Sequence, residues 1–353
     1  MIHGKTLTEL ATELKRQAET KKDYIANTGE LTLTTAQEDG TDRLQVNGYG
    51  SFAVTDLAHD QIAERVGIPR AYYQRMRTEA PALLQRNVGH WFTAKAERRM
   101  IRTLDGKARA FLSDRYRPLD NMDLAEAVLP TVQQIGCRVV SSEITERRFY
   151  IQVTTDKIQG EVRKGDVVQA GLIISNSEVG CGSLKVEPMI YRLVCTNGMI
   201  RSDHSIRKYH VGRGGADGEG MASEFYRDET RLADDRAFFL KVRDVVSGSV
   251  SEDGFQKILR SFQAAAGMRI EADPVKVVEA TAERLALTEG ERGSVLNHLI
   301  AGGDLSAWGL ANAVTRTAED ARDYDRAVEL ERLGGDVIAL PKQEWDRIAV
   351  ASN

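Results

Sequence analysis

The stretch from Glu97 to Ser113, ERRMIRTLDGKARAFLS, concentrates cations in a pattern with chemical consequences. Asp105-Gly106 is the signature of a two-residue type I′ turn, in which both central residues need φ > 0. That turn predicts a hairpin with Leu104 opposite Lys107, Arg102 opposite Arg109, Ile101 opposite Ala110 and Met100 opposite Phe111. One face then holds Ile101, Ala108, Ala110 and Leu112, and the other holds Arg98, Arg102, Lys107 and Arg109. Like charges directly opposite each other destabilise a sheet by up to ~1 kcal/mol per pair, so Arg102 facing Arg109 needs an anion over both. Either a polyanion from outside or carboxylates from elsewhere in the fold would supply it. Downstream, Arg115, Tyr116 and Arg117 place two cations around a ring able to stack on a nucleobase, and Phe111 is a second such ring.

Residues 86–118 hold nine Lys and Arg against three Asp and Glu, the steepest basic excess in the chain. The net charge of −4 divides into +5 over residues 1–213 and −9 over residues 214–353. Any nucleic acid would sit on the basic half, in a confined groove rather than over the whole surface. The 353 residues, 42% hydrophobic, suffice for two domains or one large one with an appendage.

Other chemistry finds little support. His204 and His210 lie six apart, with Asp203 and Cys195 nearby, and make no paired metal-ligand spacing. No G-x-S-x-G, no C-x-x-C and no Walker-type phosphate loop is present. The three cysteines, Cys137, Cys181 and Cys195, read as reduced thiols. No run approaches the ~18 apolar residues of a membrane helix. Met1-Ile-His-Gly-Lys5 lacks the apolar core of a signal peptide, so the expected location is the bacterial host cytoplasm.

The elements that must position these residues follow from periodicity. Helices are expected over residues 5–22, 56–66 and 70–77, the second stopped by Gly67 and the third opened by Pro69. Strands are expected at 30–36 and 43–54 with a turn at Asn47-Gly48, then a helix from Asn121 to Ile135. Four more strands follow near 137–142, 147–155, 166–175 and 186–196, with Asn197-Gly198 as a further hairpin turn. In the second of them Phe149, Ile151 and Val153 form a core face, while Arg148, Tyr150 and Gln152 face away on a free side. Gly212 to Gly220 reads as a flexible loop or linker. Helical periodicity resumes at 222–246, 254–266, 274–287, 289–299 and 305–324. The expected class is α+β, with an antiparallel sheet and packed helices in residues 1–211, the glycine-rich linker at 212–220, and an acidic all-helical region at 221–353.

Three blocks, Arg109-Ala-Phe-Leu-Ser-Asp-Arg-Tyr-Arg-Pro-Leu-Asp-Asn121, Tyr191-Arg-Leu-Val-Cys-Thr-Asn-Gly-Met199 and Ala307-Trp-Gly-Leu-Ala-Asn-Ala-Val-Thr-Arg316, resemble the phage and plasmid protein family catalogued as domain of unknown function nine-three-two. The segment from Thr55-Asp56-Leu-Ala-His59 through Ile68-Pro69 fits it as well, so the likeness spans nearly the whole chain. The resemblance implies a mobile genetic element, beside replication and recombination genes, and no established activity. In element order alone, the chain is similar to single-strand annealing proteins, including the eukaryotic Rad-type annealing mediators and their phage relatives. Those assemble as rings or helical filaments holding single-stranded DNA in an outer basic groove.

The expectation is therefore an ATP-independent, non-enzymatic single-stranded DNA-binding and annealing protein of a phage or prophage. It would use no cofactor, small-molecule substrate or membrane, and would assemble as a homo-oligomeric ring or filament. Arg98, Arg102, Lys107, Arg109, Arg115 and Arg117 would meet phosphates, and Phe111 or Tyr116 would meet bases. Two alternatives stand beside it: a duplex-binding regulator using the helix pair at 56–78, and a non-DNA phage–host interaction protein.

Overall fold

The computed structural model describes residues 4–36, 38–116, 119–194, 197–201, 209–210 and 228–350. Arg117, Cys195, Asp203, His204 and the Gly212–Gly220 segment lie outside the described residues. The architecture is α+β, as the periodicity implies, with two sheets rather than one.

Helix α1 (Leu7–Thr20) opens on a capping box: the Thr6 hydroxyl accepts from the Glu9 amide, and the Glu9 carboxylate accepts from the Thr6 amide. Strand β1 (Lys22–Asn27), unanticipated as a strand, leads through a 3-10 turn into β2 (Leu31–Thr35), β3 (Asp42–Val46) and β4 (Gly50–Val54). The chain then makes α2 (Asp56–Val66), α3 (Arg70–Glu79) and α4 (Pro81–Ala94) before the hairpin β5 (Arg98–Leu104) and β6 (Lys107–Ser113). Thr55 caps α2 and Gly67, at φ 69°, ends it. Pro81 opens α4, where the lost amide would have had no helical partner. The first sheet runs β1-β5-β6-β4-β3-β2. It is mixed, because the three helices lead into β5 and the hairpin that follows brings β6 back parallel to β4. Leu33, Leu44, Val46, Ile101 and Phe111 pack under Ile62 of α2, Tyr73 and Met76 of α3, and Leu84, Val88 and Phe92 of α4.

After α5 (Asn121–Gln134) come β7 (Arg138–Ile144), β8 (Phe149–Glu161), β9 (Val167–Asn176), β10 (Lys185–Arg192) and β11 (Asn197–Ile200). They form an antiparallel sheet in the order β11-β10-β9-β8-β7, with β12 (Tyr209–His210) paired to β10. Asn197-Gly198 is not its last turn. Asn197 pairs with Arg192 and Gly198 with Tyr191, so the chain has already reversed before them.

Phe149, Ile151 and Val153 do form a core face, against Leu124, Val128 and Val132 of α5 and Leu10 and Leu14 of α1. The opposite face is not free. Tyr150 and Gln152 are buried under the C-terminal helices. The C-terminal helices are α6 (Asp228–Ser249), α7 (Glu252–Gly267), α8 (Pro274–Arg284), α9 (Glu289–Gly302), α10 (Ala307–Arg316), α11 (Tyr324–Ile338) and α12 (Lys342–Val350); α11 covers Tyr150 and Gln152, whereas α6 packs with α5 on the first face. The continuous helix expected over 305–324 is interrupted, because a 3-10 turn at Thr317–Asp320 ends α10 and the Asp323 carboxylate, accepting from the Arg326 amide, starts α11. The acidic helices share their main core with the second sheet: Phe262, Trp308, Leu310 and Val314 pack with Val168, Ala170, Ile190 and Met199, and a smaller cluster of Ala318, Ala327 and Leu330 lies among the helices themselves.

Helix α11 lies unusually close to this sheet. A Cβ at Gly335 would collide with the Ile200 carbonyl, and one at Gly334 with the Thr315 side chain. Gly335→Val is expected to destabilise the fold by about 1–3 kcal/mol or more through overpacking against rigid backbone, read as a lower urea midpoint.

The same interface buries Glu331, whose carboxylate accepts from Gln152 Nε2 at 2.7 Å. Burial pushes Glu331 up to about 7. The folded state thus holds the proton more tightly than the unfolded chain does. That contribution is fully present below the unfolded pKa of about 4.3 and is lost as pH rises through 7. Glu331→Gln should stabilise the protein at pH 8 by a few kcal/mol, and denaturant titrations at pH 5 and pH 8 should show a flatter pH dependence than in the parent.

Candidate functional site

The hairpin turn forms as expected, with Asp105 at φ 51° and Gly106 at φ 73°. The Asp105 carboxylate accepts from Arg16 of α1 at 2.6 Å and from the Thr20 hydroxyl at 2.7 Å, which ties the tip to that helix. The guanidinium holds Asp105 below the usual carboxylate range. Leu104 pairs with Lys107 and Thr103 with Ala108, but the next pair is Arg102 with Ala110. Arg109 is the extra residue of a β-bulge, so it does not oppose Arg102. The slip also corrects the remaining register, to Ile101 with Phe111 and Met100 with Leu112. Ala108 and Phe111 join Ile101 on the inner face, while Ala110 and Leu112 turn outward to pack with Met100, Leu57 and Val179.

The anions that the two arginines need are supplied from within the fold, by Asp23 of β1, Asp120 and Glu178. Arg102 is 0% exposed and Arg109 8%. Arg102 Nε donates to Asp23 at 2.8 Å, Nη1 to the Glu178 carbonyl at 2.8 Å and Nη2 to Asp120 at 3.0 Å. Arg109 Nη2 donates to Glu178 Oε2 at 2.5 Å, while Glu178 Oε1 accepts from the Asn121 amide at 2.7 Å. Lys21 Nζ lies 2.7 Å from Asp120 and 3.6 Å from Glu178. Burial works to raise Asp120, but Lys21 and Arg102 outweigh it and hold the carboxyl below its ordinary range. Three cations and three carboxylates thus neutralise one another between the two sheets.

Phe111 is also internal, stacked on Phe92 with ring centroids 5.6 Å apart, so it presents no face to a base. Tyr116 is partly buried, and its hydroxyl donates to the Ser177 carbonyl at 3.0 Å. Arg98, Lys107 and Arg115 are exposed. Arg98 comes to 4.0 Å of Asp114, and neither Lys107 nor Arg115 has an ion-pair partner among the described residues. In the helix pair, each arginine of α3 has a carboxylate partner: Arg70 with Asp60, Arg75 with Glu79, and Arg77 with Asp42 and Asp56.

The surface that hairpin reasoning overlooks is α4. No Asp or Glu stands between Glu79 and Glu97, a stretch holding Arg86, His90, Trp91 and Lys95. All four side chains are exposed. At the end of α4 a recess of about 300 Å³ is lined by Thr28, Arg65, Val66, Gly67, Trp91, Phe92 and Lys95. Lys95 Nζ stands 5.6 Å from the Trp91 ring centroid. Beside it the Glu97 carboxylate is shared by Arg65 and Arg99, and Arg98 follows at the start of β5. The carboxylate gap and its lone tryptophan were legible as composition, but their arrangement depended on a helix that periodicity did not reveal.

Glu178→Ala is expected to cost about 3–5 kcal/mol, because Arg109 is left buried without its partner. Urea unfolding of Glu178→Ala, Arg109→Ala and the double variant should show clear non-additivity, the double variant being destabilised by less than the sum of the two single variants.

No curated protein and no solved structure matches this chain. A family profile described as "Domain of unknown function (DUF932)" matches residues 110–333, well over half of the sequence. The matched span starts in β6 and ends within α11, so it takes in Asp120, Glu178 and the second sheet with its helices, while α2, α3 and α4 lie before it. The blocks beginning at Arg109, Tyr191 and Ala307 fall within it but for the first residue, and the Thr55–Pro69 block does not. On a match of this extent, the chain belongs to the family described as Domain of unknown function (DUF932).

Proposed function

We propose that this protein binds single-stranded nucleic acid without nucleotide hydrolysis and, in a phage or prophage, promotes strand annealing as a homo-oligomeric ring or filament. The observation that supports this reading best is the carboxylate-free surface of α4, where exposed Arg86, His90, Trp91 and Lys95 lead to Arg98. A single strand needs cations for its phosphates and an aromatic face for its splayed bases, and this surface offers both. Arg115 follows Ser113, the partner of Arg99, and so lies at the Arg98 end of the hairpin, whereas exposed Lys107 stands at the turn beside Asp39, Asp56, Asp105 and Glu146. Arg102 and Arg109 act on binding only indirectly, by holding the two sheets together. Duplex reading by α3 draws less support, since its arginines already face carboxylates.

Fluorescence anisotropy with labelled oligothymidine and a duplex of equal length, across a salt series, tests the proposal. Single-strand preference is expected. Changing Arg86, Lys95 and Arg98 together to Ala should weaken binding and reduce the slope of log K on log salt by about 0.7 for each phosphate that is no longer neutralised. Mass photometry of the same samples should show assembly. No binding at low salt, or a duplex preference, defeats the reading.

A further inference from the structure

We infer that the recess beside Trp91 is a nucleobase subsite, taking one unstacked base against the indole while the adjoining phosphate meets Lys95 and Arg65. The inference rests on the single-strand reading and gives that reading a specific base-binding position.

Trp91 is 38% exposed, whereas Trp308 and Trp345 are 1% and 3% exposed. A tryptophan left on the surface forgoes the burial of a large apolar face, which makes it available to a ligand with an apolar face of its own. The walls of the recess suit a flat ring. Val66 and Phe92 are apolar, and Gly67, in the left-handed region at φ 69°, leaves open space where a side chain would stand. The Thr28 hydroxyl donates to the Phe92 carbonyl at 2.9 Å and accepts from the Glu97 amide at 3.1 Å, so this polar wall is already satisfied within the protein.

Charge selects the kind of ring. The lining contains no carboxylate and includes Arg65 and Lys95. The neighbouring Glu97 is divided between Arg65 and Arg99, so two guanidinium groups share one anion and Lys95 adds a further cation at the recess. Lys95 is already poised over the indole, beside any phosphate attached to a base stacked there. A ligand that is both aromatic and anionic matches this arrangement, and a nucleotide unit is that ligand. The volume of about 300 Å³ holds a single base rather than a stacked run.

Trp308 and Trp345 are buried and contribute a background to intrinsic emission, so the ligand-dependent change that is absent from Trp91→Ala reports on Trp91. The full chain should be titrated with oligothymidine, with an abasic deoxyribose-phosphate oligomer of the same length, and with thymidine monophosphate, following both emission and competition anisotropy. Oligothymidine should quench the emission at concentrations where the abasic oligomer and the mononucleotide leave it unchanged. Trp91→Ala should weaken oligothymidine binding about tenfold while keeping the salt slope and the abasic affinity, and Trp91→Phe should recover most of the difference. Oligothymidine binding with unchanged emission and an unaffected Trp91→Ala variant overturns the subsite and leaves the single-strand reading standing. Equal quenching by the abasic oligomer overturns the base contact, equal quenching by the mononucleotide overturns the choice of a strand, and absence of any binding removes both inferences.

Discussion

Glu178 joins the two halves of this molecule. One carboxylate oxygen takes the Arg109 guanidinium from the first sheet and the other takes the amide that begins α5, while its backbone carbonyl holds Arg102. Asp23 and Asp120 complete the charge balance. A buried cluster of this kind adds little net stability compared with an apolar filling, because each ion gives up its hydration. Its larger effect is directional: short hydrogen bonds from planar guanidinium groups tolerate few docking geometries. The bulge at Arg109 belongs to the same device. It turns Ala110 and Leu112 outward onto Val179, so the apolar contact and the ion cluster share one surface.

This arrangement changes what a basic sequence means. The cation-rich stretch divides into two populations with different surroundings, although neighbouring residues contribute to both. Arg102 and Arg109 are structural ions whose partners lie in the protein. Arg98, Lys107 and Arg115 keep solvent around them, and the α4 surface adds Arg86 and Lys95. Any electrostatic affinity for a polyanion rests on the second population, and alteration of the first reaches a ligand only through the fold.

The second sheet shows the corresponding principle for apolar surface. Its strands carry buried side chains on both faces: α1, α5 and α6, with α7 and α10 farther along, cover the face of Ala170, Leu172, Ile174 and Ile190, and α11 covers the face of Tyr150, Ile173 and Met189. Tyr150 and Gln152 look amphipathic in sequence, yet they serve the interior by pairing with Asp325 and Glu331 of α11. Gly335 lets α11 approach the Ile200 carbonyl of β11, and Gly334 lets it approach α10. Burying polar side chains in hydrogen-bonded pairs lets an alternating strand be covered on both faces.

Local chemistry decided much of this fold from the sequence alone. Asp105-Gly106 specified its turn because few residue pairs accept two positive φ values, and Thr55 and Gly67 bounded α2 through their side-chain oxygen and left-handed backbone. Alternation alone identified the inward face of β8. The bulge at Arg109 was not legible, since one inserted residue leaves composition unchanged while exchanging the two faces of β6. Nor was the choice of partner. An arginine pattern shows that an anion is needed, but which anion depends on Glu178, which lies 76 residues beyond Arg102 along the chain and is brought near by packing. The exposure of Trp91 was decided in the same way, because α4 buries Leu84, Val88 and Phe92 against the first sheet and leaves the indole on the remaining side. Backbone preferences act over a few residues and can be read in order, whereas burial and ion pairing are set by distances that exist only after the chain has folded.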